Sequence, residues 1–256
     1  MKLTVLGCWA PYPRAAGACS GYLLQDAGLN ILLEAGNGSL SRLMNIIDFR
    51  SLDAVIVTHL HHDHYSDLFV LRYAIEGARR DGSRGEPLKL FLPGEPAVDY
   101  NLLAGYNKAF ITKPIESLPR EPHDEGFEVY SLTIGGLSFR FAPIKHPLPG
   151  YSVAAGEPGG LVFSSDTTRT RAIEYLAQNA GLFLCEASGL DSDAEAMRDI
   201  HLTAGQAGEL ARDAGVKRLL LTHFWPEYDP ALLGRQAEQA FKKTVELARE
   251  GETYLV

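Results

Sequence analysis

Apolar positions along the chain fall into short runs separated by polar or glycine-rich turns, and the period of the runs changes from one to the next. Leu3–Leu6, Gly21–Gln25 and Asn30–Glu34 read as strands, the last closed by Ala35-Gly36-Asn37-Gly38. Leu40, Leu43, Met44 and Ile47 keep helical spacing. Val55–Thr58 is again a strand, and Leu68, Leu71, Ile75 and Ala78 mark a helix ending near Asp81-Gly82. Leu88–Leu92 is a strand stopped by Pro93-Gly94, followed by a helix expected over Ala97–Phe110. Phe127–Leu132 and Leu137–Ala142 flank Ile134-Gly135-Gly136 as a hairpin-like pair. Strands are then expected at Leu161–Ser165, Leu182–Glu186 and Arg218–Thr222. Helices fit around Ile173–Ala177, Thr203–Ala214 and Pro230–Arg249, with a short strand at Tyr254–Val256.

Strands and helices are mixed without strict alternation, and no linker or fixed-period repeat divides them. Two mixed sheets packed together with helices outside account for that order, so the expected class is α/β with residues 1–256 as one domain. A chain of 256 residues can bury about three quarters of its unfolded surface without help from disulfides. The net charge of −8 argues against a broad footprint for long nucleic acid. It leaves room for a small anionic substrate, because divalent ions would reverse the sign locally. Three scattered cysteines, Cys8, Cys19 and Cys185, make neither a disulfide framework nor a zinc ribbon. The first apolar run is too short for a signal peptide and none is long enough to span a membrane. The expected location is the cytoplasm.

The chemistry concentrates at strand ends. Val55-Ile-Val-Thr58 runs into His59-Leu-His61-His62-Asp63-His64, four histidines and an aspartate in six positions. Neutral imidazole and carboxylate are ligands for zinc, iron and manganese, and this loop holds more of them than one tetrahedral ion accepts. Two metal ions are therefore expected. Asp166 and His223 also end apolar strands, and His146 follows one closely; residues so placed at one end of a sheet can converge although distant in sequence.

The 59–64 motif resembles that of the metallo-β-lactamase superfamily, and the similarity runs along nearly the whole chain. It implies a four-layer αβ/βα sandwich with a dinuclear site. By position, it assigns His59, His61 and His146 to one ion, and Asp63, His64 and His223 to the other, with Asp166 bridging. His62 falls at the variable position, and His123 matches nothing and is expected to be a solvated loop residue. The segment Asp199-Ile-His201-Leu-Thr203-Ala-Gly-Gln206-Ala207 resembles the motif of ribonuclease Z-type phosphodiesterases, with Glu186 placed as in that group.

This resemblance implies a zinc-dependent phosphodiesterase, with manganese or iron as other candidate metals. Two divalent ions lower the pKa of a shared water from about 15.7 towards about 7 and so supply hydroxide at neutral pH. Asp63 would orient that hydroxide, His201 would donate a proton to the leaving alkoxide, and Glu186 would support His201. Lys145, Arg169 and Trp225 are candidate substrate contacts, alongside Arg14, Arg171, Tyr12, Tyr151 and Phe224. Only twenty positions separate His146 from Asp166, leaving no room for the long arm of transfer-RNA processing enzymes. Phe224-Trp225-Pro226 also replaces their Ser-x-Arg-Tyr. A cyclic nucleotide, other small nucleotide or short RNA therefore fits better as substrate. Lactone, ester or thioester hydrolysis on the same ions is the alternative within hydrolases. A diiron redox protein and a metal-holding module without turnover are the alternatives outside them. A second copy of the chain is a candidate partner through the apolar face of residues 67–78, which core packing explains equally well.

Overall fold

Strands β1 (Lys2–Gly7), β2 (Gly21–Asp26) and β3 (Leu29–Ala35) pair as an antiparallel meander, with Leu3 opposite Leu24 and Leu23 opposite Leu32. After the short helix α1 (Ser39–Leu43), the chain switches to parallel pairing. β4 (Ala54–Ile56) lies beside β3 with Val55 next to Leu32, and α2 (His62–Tyr65) and α3 (Leu68–Arg80) follow it. β5 (Leu88–Leu92), α4 (Ala97–Ala104) and β6 (Phe110–Pro114) complete the parallel part. The C-terminal strand Thr253–Leu255 pairs antiparallel with β1 and closes a seven-stranded sheet. α3 buries Leu68, Leu71, Ile75 and Ala78, one stripe at helical spacing, in a core shared with Leu32, Val55 and Leu90.

The computed structural model describes residues 1–256 and divides them into two compact units. The seven-stranded sheet belongs to the first (Met1–Cys8, Tyr12–Ser117 and Arg249–Leu255), and an eight-stranded sheet to the second, chiefly Leu118–Ala248. In the second unit β7 (Arg120–Pro122), β8 (Glu128–Ile134), β9 (Leu137–Pro143), β10 (Tyr151–Ala155) and β11 (Leu161–Phe163) are successively antiparallel. β12 (Leu182–Glu186), β13 (Arg218–Thr222) and β14 (Val245–Leu247) then add in parallel, following α5 (Arg171–Ala177), α6 (Ala194–Met197) with α7 (Ala204–Asp213), and α8 (Pro230–Phe241). The β8–β9 turn uses Gly135 and Gly136 at φ 53° and 95°, the conformation a tight hairpin demands and glycine permits. α7 packs on α8 closely enough that a Cβ at Gly208 would stand 2.4 Å from the Ala237 carbonyl oxygen.

Several elements differ from the sequence expectation, among them β7 and α6, which it did not contain. The helix from Ala97 stops at Ala104, because Gly105 and a turn follow and Phe110–Pro114 is drawn into the sheet beside β5. The last helix stops at Phe241, where Lys242 turns left-handed (φ 63°) and Val245–Leu247 becomes a parallel strand. β10 was not anticipated: its Val-Ala-Ala segment has weak strand preference and is held by ladders to β9 and β11.

No helix is long and apolar enough to cross a membrane. Cys8, Cys19 and Cys185 are buried and form no disulfide, and burial pushes each up from its ordinary value, Cys19 to about 12.

Candidate metal-binding residues

In the first unit the candidate ligands follow the carboxyl end of β4. His59 and His64 are fully buried, and α2 begins at His62, so Asp63 and His64 occupy its single turn. Thr58 holds this loop through its N–H and its hydroxyl. Its N–H donates to Glu34 Oε1 at 3.0 Å, and its hydroxyl lies 3.2 Å from His59 Nδ1. Glu34, next to last in β3, lies in the left-handed region (φ 63°), fully buried, with Oε2 3.5 Å from His64 Nδ1. Burial raises the Glu34 carboxyl from its ordinary value, opposed by the nearby His64 imidazole and by Thr58. Asp67 anchors the far end of the loop by accepting the Leu40 N–H at 2.8 Å. Gly36 makes the fit possible: a Cβ there would stand 2.0 Å from the Asp63 carbonyl oxygen.

His59 Nε2 lies 3.1 Å from His61 Nδ1, and His64 Nε2 lies 3.6 Å from Asp63 Oδ2. His62 is exposed, 5.5 Å ring to ring from Tyr65.

In the second unit, Asp166, Glu186 and His223 stand at the carboxyl ends of β11, β12 and β13. Ser165 and His223 leave their strands in the left-handed region, at φ 58° and 59°. Such conformations cost of order 1 kcal/mol or more each and need surrounding structure to hold them. His223 Nε2 is 3.0 Å from Asp166 Oδ2, both side chains being almost wholly buried. Half-buried His146 follows β9 by three residues, and its Nδ1–H donates to the Ile200 carbonyl at 2.8 Å. Burial lowers the His146 pKa, against the raising pull of Asp166 and of that carbonyl, which favours the neutral, ligating imidazole.

Glu186 is fully buried and is the hub of this unit. It accepts the Thr167 N–H at 2.5 Å, the Ser188 hydroxyl at 2.6 Å and His201 Nδ1–H at 3.0 Å. His201 sits two residues ahead of Thr203, the N-cap of α7. Thr203 Oγ1 accepts the Gln206 N–H while Gln206 returns a bond to the Thr203 N–H, a capping box. The His201-Leu-Thr203-Ala-Gly-Gln206 motif therefore has a local structural meaning, fixing the chain that presents His201. Burial alone would lower the His201 pKa, but the Glu186 charge and hydrogen bond, with Asp166, outweigh it and hold the imidazole above its ordinary value.

The other sequence candidates lie on more open ground. Lys145 is exposed, with Nζ 2.7 Å from Asp199 Oδ1. Arg169 pairs with Glu174 at 2.6 Å and Asp213 at 2.9 Å. Trp225 is 36% exposed in the loop after β13. His123, expected as a solvated loop residue, is instead half-buried and stacked on Phe127 at 4.4 Å and 12°. Sequence reasoning missed Thr167 and Ser188, small residues beside strand ends whose roles emerge only when β11, β12 and β13 are aligned.

The donor chemistry in each unit suits a divalent ion. Imidazole nitrogens and carboxylate oxygens gather with no thiolate among them, the set preferred by zinc, manganese and iron. Within the second unit alone, one ligand atom each from Asp166, His201 and His223 lie within 4.8 Å of one another. His59 Nε2 faces His61 Nδ1, and His223 Nε2 faces Asp166 Oδ2, at separations where two bare acceptors would repel unless a proton or cation lay between them.

Residues 23–224 match the family model described as a beta-lactamase superfamily domain. The chain is 28% identical over 253 residues to the probable metallo-hydrolase YhfI of Bacillus subtilis, covering 98% of each. It is also 28% identical over 305 residues to a ribonuclease Z of Thermobifida fusca, covering 99% of this chain and 92% of that one. The crystal structure of YhfI, described as a metallo-beta-lactamase fold protein, superposes with a TM-score of 0.85 at 27% identity, covering 99% of this chain and 98% of that one. A diphosphatase of the PhnP family shares the fold, with a TM-score of 0.75 at 15% identity over 100% and 97% of the two chains.

Proposed function

Since the chain belongs to the beta-lactamase superfamily and has the metallo-β-lactamase fold, we propose that this hydrolase cleaves a small phosphodiester with two divalent ions, zinc before manganese or iron. His59, His61 and His146 would hold one ion, Asp63, His64 and His223 the other, and Asp166 both. Residues 1–256 would act as one catalytic domain. When bound, the ions supply an activated water at neutral pH and neutralise the phosphoryl oxygens.

The protein's own groups do the rest. Asp63 orients the attacking water and takes its proton. His201, held through Nδ1 by Glu186, gives the proton on Nε2 to the departing alkoxide. The observation that carries this reading is the Glu186–His201 pair. A wholly buried carboxylate fixes an imidazole that keeps 21% of its side-chain surface open, so the imidazole can meet a substrate. Carbonyl hydrolysis has less need of such a proton donor, which sets the ester, lactone and thioester reading second.

A small substrate is supported by the stretch between His146 and Asp166, which β10 and β11 fill as paired strands. Trp225 is exposed enough to stack on a base. Lys145 and Arg169 would have to exchange a carboxylate partner for a phosphate.

The test is a substrate panel on metal-loaded protein: bis(p-nitrophenyl) phosphate, cyclic nucleotides, a short oligoribonucleotide, a lactone and a thioester. Turnover of phosphodiesters is expected, fastest on the smallest nucleotides. Turnover of the lactone or thioester with every phosphodiester untouched would move the assignment to the carbonyl branch.

A further inference from the structure

Ser188 lies between two imidazoles with different proposed duties. Its Oγ is 2.6 Å from Glu186 Oε2 and 2.8 Å from His223 Nδ1, and the residue is only 4% exposed. A hydroxyl has one proton and two lone pairs, whereas an ionised carboxylate only accepts. The Ser188 proton is therefore given to Glu186, and the hydroxyl oxygen is left to accept from His223. That requires the His223 proton to sit on Nδ1 and leaves Nε2, the atom 3.0 Å from Asp166 Oδ2, free to ligate.

Glu186 meanwhile accepts Nδ1–H of His201 directly. We propose that Ser188 is a positioning residue, a relay through which the single carboxylate of Glu186 sets the ring orientation and proton position of the candidate ligand His223 as well as of the candidate acid His201.

The consequence is a coupling between metal capture and proton donation. The order of bonds is His223 Nδ1–H to Ser188 Oγ, Ser188 O–H to Glu186 Oε2, and His201 Nδ1–H to Glu186. Thr167 completes the carboxylate through its N–H, a backbone bond that no side-chain substitution removes and that pins Glu186 between the two branches. Removing the hydroxyl strips His223 of its acceptor and Glu186 of one donor at once, without opening a large void. Only the effect on turnover rests on the function proposed above; the relay itself is a property of the folded chain.

The test is NMR of the histidine ring nitrogens, with zinc-free and zinc-loaded protein, together with zinc affinity by chelator competition. In the parent protein the His223 Nδ1 proton is expected to be present and slow to exchange in both forms. In Ser188→Ala that proton should exchange freely and zinc affinity should fall about 10- to 100-fold, the usual cost of losing a ligand's supporting partner. Ser188→Thr, which keeps the hydroxyl, should restore both.

Ser164→Ala serves as the control for a merely structural loss. Its hydroxyl is likewise buried but bonds the backbone at Glu186 N and Ser165 O and touches neither His223 nor the Glu186 carboxylate. It should leave the His223 proton in place. A His223 in the parent protein with Nδ1 unprotonated overturns the relay, whether or not the alanine variant folds. So does a Ser188→Ala protein with the ring proton and zinc affinity both unchanged. Neither measurement uses a substrate, so failure of the phosphodiesterase assignment would show separately.

Discussion

Nδ1 of His201 lies 3.0 Å from Oε2 of Glu186, a carboxylate with no exposed surface. The pair sets a pH signature. A proton donor must be protonated to act, so activity falls as pH rises through the His201 pKa, which this environment places above its ordinary value. In Glu186→Gln the strongest raising influence is gone, so the alkaline limb of kcat/KM should move to lower pH. An unmoved limb would separate His201 from proton donation.

Replacing His201 with alanine should lower turnover of phosphodiesters about 10²–10⁴-fold, the range of general acid help. Metal content by elemental analysis should stay near the parental value, since the proposed ligand set does not include His201. Parental turnover in this variant would remove His201 from the chemistry.

Gly36 is where the strand end and the histidine loop touch. An alanine Cβ would fall 2.0 Å from the Asp63 carbonyl oxygen and 2.8 Å from that of Ser20, both backbone. Gly36→Ala should therefore shift the loop, lowering metal affinity by chelator competition and melting temperature by calorimetry. An alanine variant with parental values in both would mean that the loop yields without cost.

Thr203 caps α7, and its loss should cost about 1 kcal/mol of unfolding free energy in a denaturant titration of Thr203→Ala. Because the capping box also steadies the chain just after His201, kcat should fall more than stability alone explains. Equal turnover by the parent and the variant would confine the box to helix stability.

Metal removal is the broadest check. Zinc at about one hundred times its dissociation constant adds about 2.7 kcal/mol to folding, enough to raise the melting temperature by several degrees over chelator-treated protein. Identical melting curves with and without zinc would remove the basis for every metal assignment.

Much of this was legible in the sequence because the informative residues sit at strand ends. An apolar triplet followed by threonine and histidine occurs at both 55–59 and 219–223, and both histidines prove to be buried at sheet termini. Gly135-Gly136 announced its hairpin for an equally local reason, since only that turn needs two positive φ angles. Ser188 was silent because its role depends on β12 lying in register beside β13, with Glu186 next to Thr222. The strand Val245–Leu247 was hidden too: its residues extend the helical spacing of α8, and only pairing with β13 overrides it. His123 misled for the opposite reason, a polar residue covered by nearby Phe127 and by Tyr175 from distant α5.

The three thiols are buried and held protonated. Sulfur should therefore take no part when the native protein is loaded with cobalt(II) as a coloured probe. The visible spectrum would carry weak ligand-field bands alone, without the intense near-ultraviolet absorption of a cobalt–thiolate bond. The same protection would let the protein be handled in air without reductant, so a metal count from such a sample would report nitrogen and oxygen ligation only.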